Sequence, residues 1–320
     1  MKEIGGYIEL DSYNLPMMHE GAVALNCGRN CLAYLIRSRE INSIQLPRFL
    51  CDSVTNVCQK ENVNITYYSV NDQFQPVDIV LKPDEWLYIV NYYGQITNSQ
   101  IEMYVKKYKR VIVDNAQAYF QMPVNGVDTI YTCRKFFGVA DGAFLYTDAK
   151  LEDKLSVDES FSRMHFLLGR YERTGSEFYN EYSENNRLFT GESIKQMSKL
   201  TKNLLHGIDY AKVRMQRTEN ALFLHRELKK YNELDVKVFD GLFMYPLMLK
   251  NGSTVRKKLH QEKIYIPTLW PNVLDECKQE LLEYKLVENI IPVPVDQRYD
   301  THDMQYVVNK IVDIIIRNEV

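Results

Sequence analysis

Short apolar runs of strand length alternate with stretches of helical periodicity through the first half of the chain, and this alternation limits the possible folds sharply. Residues 43–49, 64–70, 85–92, 110–114, 128–133 and 143–147 read as strands. Between them, 52–53 supplies helix-capping residues and 99–109 has helical spacing. Residues 21–39 read as a helix interrupted by a turn signal at Asn26-Cys27-Gly28. Strands separated by helices call for crossover connections, so the expectation is an α/β fold: a mixed, mainly parallel sheet with helices on its faces.

The second half changes character. Residues 150–232 are helical and charged, with one long amphipathic helix expected over 204–231. Strands are expected over 235–250, 263–270 and 290–294, and helices over 272–284 and 301–317. This predicts a small C-terminal α+β domain, with a large domain over 1–210 and the small one over 211–320.

Composition narrows the function classes. A formal net charge of -3 without Lys/Arg runs argues against a nucleic-acid partner. No apolar run approaches the roughly 18 residues of a membrane helix, and the N-terminus lacks the apolar stretch of a signal peptide. A cytoplasmic protein is therefore expected. The six cysteines fit reduced thiols. Cys27 and Cys31 have no second pair at ligand spacing and the six histidines are scattered, so no metal site is expected. No G-x-G-x-x-G follows an N-terminal strand, which argues against a dinucleotide-binding oxidoreductase.

In a parallel sheet, ligands bind beyond the carboxyl ends of the strands. One strand ends in Asp114, with Gln117 three residues on; another ends in Thr132-Cys133-Arg134-Lys135. Pyridoxal-phosphate (PLP) chemistry requires such a set. A lysine amine condenses with the aldehyde, and a carboxylate keeps the pyridine nitrogen protonated so that the ring accepts electrons. Desolvation and nearby cations free the lysine amine for attack and proton transfer. Lys135 suits the first role and Asp114 the second. Gln117 suits the ring hydroxyl and Thr132 the phosphate. Cys27, Gly28, Arg29 and Asn30 open a helix whose backbone N–H groups can bind phosphate. Phe49 is the candidate for stacking on the ring, and Asn91, at another strand end, for lining the site. Arg298 is a candidate for a substrate carboxylate or phosphate.

The order of these pieces resembles the DegT/DnrJ/EryC1/StrS family of PLP-dependent sugar aminotransferases. NCGRNCL resembles its phosphate-gripping turn. VNYYG resembles V-H-L-Y-G, with Asn91 where the family has His. VDNAQ resembles E-D-x-A-H/Q, and TCRKFFGVADGAFLYT the segment that carries the lysine. The resemblance covers residues 1–150 well. RKKLHQEKIYIPTLWP and IIPVPVDQRYDTHDMQYVVNKI extend it through the C-terminal part. It implies PLP-transferase fold type I, a Schiff base on Lys135, Asp114 at the pyridine nitrogen, and a homodimer. The implied reaction moves an amino group from glutamate or glutamine to a keto sugar, one linked to a nucleotide, so its partners are small molecules. Two other readings stay open. One is a different PLP reaction such as sugar dehydration, although the family's dehydrase branch replaces the lysine that stands here. The other is a non-catalytic binding protein on the same fold. The family's G-Y-N-x-R-M segment, which reaches the partner subunit's site, has its nearest echo at Asn186-Arg187.

Overall fold

The computed structural model describes residues 4–318. Eight strands form its central sheet: β1 (Val23–Leu25), β2 (Ser43–Pro47), β3 (Asn64–Val70), β4 (Pro76–Val77), β5 (Trp86–Val90), β6 (Val111–Asp114), β7 (Asp128–Thr132) and β8 (Ala143–Tyr146). Their order is β1-β8-β7-β6-β5-β2-β3-β4. The run β7-β6-β5-β2-β3 is parallel, and β8, β1 and β4 join antiparallel at the flanks. Along β2, β5 and β6 nearly every side chain is buried, as in a sheet covered on both faces. Helices α1 (Gly28–Ser38), α2 (Asp52–Lys60) and α3 (Asn98–Tyr108) pack against it. A capping box fixes the start of α3: Thr97 Oγ1 accepts from the Gln100 N–H, and Gln100 Oε1 accepts from the Thr97 N–H at 2.8 Å.

The charged middle of the chain forms α4 (His165–Glu172), α5 (Tyr179–Leu188), α6 (Lys199–Leu205) and α7 (Tyr210–Leu228). The single helix expected over 204–231 is two helices. The first ends at His206, and Asp209 caps the second by accepting from the Lys212 N–H at 3.0 Å. Beyond α7 come β9 (Met244–Met248), α8 (Gly252–Gln261), α9 (Asn272–Glu276), α10 (Leu282–Asn289), β10 (Ile290–Pro294) and α11 (Thr301–Asn318). β9 and β10 pair antiparallel, and α11 packs on α7 and α8.

Four further sequence expectations are corrected. Residues 23–25 are an edge strand on β8, because the run of apolar residues before Asn26 finds backbone partners there. Residues 263–270 form no strand: Pro267 removes a ladder donor, and the backbone of Ile266 is taken by His260 Nε2, 2.7 Å from its carbonyl. Of 235–250 only β9 is extended in a ladder, and the helix expected over 272–284 breaks between α9 and α10.

The two halves meet at an aromatic cluster. Phe49 lies 4.5 Å from Trp270 and 4.9 Å from Tyr92, ring centroid to centroid. Nearby, buried Glu283 of α10 accepts from the Val70 N–H at 3.1 Å, terminating β3. Among the described residues no helix is long and apolar enough to cross a membrane.

Candidate active site

Sheet register brings the polar residues of the first half to one edge. Asp114 pairs with Val90 on β5 and Ile130 on β7, so the ends of three parallel strands lie side by side. Asp114 is held from two directions. Tyr88 donates its hydroxyl to Oδ2 at 2.8 Å, and the Ala116 N–H donates to Oδ1 at 2.8 Å. Burial, and next the Asp114 charge, push the Tyr88 phenol well above its ordinary range, so it is the proton donor in that pair. The carboxylate is half-buried and fixed in orientation, with lone pairs left for a further donor.

Lys135 sits in the turn after β7. Solvent reaches the residue, and its amine lies 5.7 Å from the centroid of the Phe243 ring. Protein surrounds the amine on its other sides. Desolvation therefore lowers its basicity, against the pull of Asp114 and Cys51 and with the help of Arg134 and Arg29. This combination suits an amine that must be neutral, reachable and nucleophilic near neutral pH.

The beginning of α1 lands beside this turn for a reason of register. Leu25 and Thr132 both pair with Ala143, so the chain leaving β1 and the chain leaving β7 emerge together. Gly28 lies so close to Thr132 that a Cβ on it would stand 2.7 Å from Thr132 Cγ2. No side chain caps α1, which leaves its first N–H groups open to a ligand. Arg29 donates to the Asn186 carbonyl at 3.1 Å and Arg134 to the Asn186 side-chain oxygen at 2.6 Å. Arg134 also stacks 4.7 Å from the centroid of the Phe189 ring. No ion pair to either arginine occurs among the described residues. Uncapped amides, a glycine, the half-buried Thr132 hydroxyl and two unneutralised guanidinium groups form an arrangement that fits a phosphate. With Lys135 and Asp114 alongside, the donor set fits PLP. Burial raises the Cys27 thiol, so it offers no thiolate there.

The remaining expected residues already have protein partners. Gln117 is buried and accepts from the Tyr93 N–H at 2.8 Å. Asn91 accepts from Ile96 N–H, and its NH₂ faces Ile96 O, Asn115 Oδ1 and Gln121 Oε1, which ties the loop after β5 to the loop after β6. The Asn30 amide donates to Asn26 at 2.8 Å and to the Ser193 carbonyl at 2.7 Å. Phe49 is buried in the aromatic cluster, and Arg298 is held in a two-point ion pair by Asp296. A cavity of about 240 Å³ between α1, α2 and residues 183–194 takes in Arg29 and Asn30 but neither Lys135 nor Asp114.

Four residues escaped the sequence reading. Tyr88 lies two residues before the strand end, and nothing in its spacing marks it as the partner of Asp114. Arg134, directly before Lys135, could have been read as an anion ligand. Phe243 arrives from 108 residues downstream. Cys51, at the start of α2, acts on the Lys135 amine from the loop where Phe49 was the expected contact.

No protein-family model matches the chain, and no curated protein sequence matches it. Solved structures do resemble it in shape. NtdA from Bacillus subtilis, with bound cofactor PMP, superposes with a TM-score of 0.66 at 12% identity, over 92% of this chain and 73% of that one. An aminotransferase from Psychrobacter cryohalolentis gives 0.67 at 12% identity, over 92% and 87%. A DegT DnrJ EryC1 StrS aminotransferase from Brucella abortus gives 0.59 at 12% identity, over 92% and 86%. From these likenesses and its mixed, mainly parallel eight-stranded sheet, the chain has the fold of the DegT/DnrJ/EryC1/StrS-type aminotransferases.

Proposed function

We propose that this protein is a PLP-dependent aminotransferase that passes an amino group from glutamate or glutamine to a keto sugar, linked to a nucleotide. The observation that carries this reading is a reachable, low-basicity Lys135 beside a fixed Asp114 and an uncapped α1 flanked by two unpaired arginines. PLP, when bound, supplies an electron sink for the carbanion formed at the substrate carbon. The chain supplies the rest. The first N–H groups of α1, the Thr132 hydroxyl and the Arg29 and Arg134 guanidinium groups hold the phosphate. Asp114, oriented by Tyr88, holds a proton at the pyridine nitrogen. Gln117, held by Tyr93, stands three residues beyond it for the ring hydroxyl. Lys135 would hold the cofactor covalently, and its Nζ, once free, would carry the proton at the substrate carbon.

The molecule divides in this reading into a cofactor-holding unit over 1–210 and a small unit over 211–320, each with its own sheet. It works as a homodimer, for which Phe161 (72% exposed), Leu168 (61%), Tyr171 (93%) and Tyr179 (63%) around α4 and α5 offer an apolar face. Free thiols at all six cysteines suit the cytoplasm.

Addition of glutamate to the PLP-loaded protein tests the reaction. Conversion of the visible band to the spectrum of the aminated cofactor, with release of 2-oxoglutarate, is expected. A stable visible band that no amino donor converts would leave PLP binding intact and overturn transamination.

A further inference from the structure

Arg217 of α7 is 1% exposed, and among the described residues no carboxylate forms an ion pair with it. The nearest acidic influence is Asp296, whose two oxygens are taken by Arg298 at 2.6 and 2.9 Å. A buried guanidinium without an ion pair is expensive, and an apolar side chain would fill the same space at less cost. Its hydrogen bonds show what the charge does there. Nη1 donates to the Leu242 carbonyl at 3.1 Å and the Phe243 carbonyl at 3.2 Å. Nε donates to Gln297 Oε1 at 2.9 Å, and Nη2 reaches the Phe136 carbonyl at 3.5 Å. The guanidinium also lies 4.6 Å from the centroid of the Phe136 ring.

The Gln297 contact has a direction. Arginine can only donate, so the Gln297 oxygen must face it and the amide NH₂ must face away. That NH₂ donates to the Phe136 carbonyl at 2.8 Å. Arg217 thus holds the residue after Lys135 twice, by a weak direct bond and by a strong relayed one. It also holds the backbone of Phe243, whose ring underlies the Lys135 amine. These two neighbours of Lys135 come from distant parts of the chain, and Arg217 ties both. Only a planar group with five donors reaches all four acceptors at once.

We infer that Arg217 is a positioning residue: with Gln297 as its relay, it sets the Lys135 amine against Phe243 by clamping Phe136 and Phe243 together. From the proposed function the inference takes only the reactive role of Lys135. Loss of the clamp lets the turn after β7 drift from the Phe243 ring, so the already reachable amine becomes more fully hydrated and its basicity rises.

The test is competitive labelling of the full chain, without PLP, by trinitrobenzenesulfonate at pH 8. Peptide mass spectrometry reads Lys135 against the exposed Lys150. Arg217→Lys keeps the charge and loses the fork; Gln297→Leu keeps Arg217 and loses the relay. Both are expected to lower the Lys135/Lys150 ratio by about threefold or more, the size of half a decade in neutral-amine fraction, with near-UV circular dichroism unchanged. If Arg217→Lys misfolds, Gln297→Leu at the half-exposed position decides. An unchanged ratio in the folded variants overturns the inference. A wild type that binds no PLP while the variants still lower the ratio overturns the proposed function and leaves the positioning role standing.

Discussion

Lys135 joins two properties that rarely occur together, contact with solvent and reduced basicity. Asp114 opposes the second property, so its value to the site lies in its fixed orientation toward a ligand rather than in freeing the lysine. Asp114→Asn is expected to slow the glutamate half-reaction on the order of 10²-fold, as loss of a fixed charge at a reacting centre does. Tyr88→Phe removes one hydrogen bond to that carboxylate and is expected to slow it by about tenfold at most; single-turnover spectra measure both. His19 makes a separate residue-scale claim. It is buried between Tyr146 and the Tyr119 carbonyl, and burial lowers its pKa from 6.5 to about 4. The unfolded chain therefore takes up a proton below pH 6.5 that the folded chain refuses until about pH 4. Stability from this group is full above pH 6.5 and falls as pH drops toward 4, by about 3 kcal/mol in all. His19→Gln keeps the hydrogen bonds and should flatten urea-denaturation stability across that window; identical slopes would contradict the assignment. Asp114 and Lys135 were legible in the sequence because the chemistry names their residue types and strand ends supply their places. Tyr88 and Phe243 were not, since a hydrogen-bond partner across a strand or 108 residues away leaves no local pattern.

The beginning of α1 shows how elements place the site. The shared partner Ala143 brings Leu25 and Thr132 to the same edge, and Gly28 is the only residue type that fits against Thr132 there. Gly28→Ala is expected to destabilise the protein by about 1–3 kcal/mol and to weaken PLP binding. Adding Thr132→Ser removes the Cγ2 that the new methyl meets and keeps the hydroxyl, so the double variant should recover much of both losses in denaturant and PLP titrations. An additive loss would contradict the packing argument. The sheet was legible because parallel strands buried on both faces read as near-continuous apolar runs. β1 was not: three residues pair at an edge only because β8 stands there, and in isolation the same letters fit a helix. The break between α6 and α7 was written as His206-Gly207-Ile208-Asp209, but the amphipathic period on both sides masks it. The strand expected at 263–270 failed on Pro267 and on a side chain, His260, that takes the place of a neighbouring strand.

At the scale of the molecule, the two halves join through Phe49, Tyr92 and Trp270 at one place and through Arg217 and Gln297 at another. In the proposed homodimer the exposed apolar residues around α4 and α5 are covered by a second copy. Sedimentation equilibrium is expected to give twice the 37.7 kDa chain mass, and Tyr171→Asp to shift it toward one chain; a wild type at the mass of a single chain would contradict the homodimer. The measurement that bears most directly on the whole account is the visible spectrum of the purified protein after PLP is added, recorded beside Lys135→Ala. The account predicts a visible band in the wild type that borohydride discharges, leaving the cofactor covalently on the peptide containing Lys135, and no such band in the variant. A correctly folded wild type with no band, or a reduced adduct on another lysine, would contradict it.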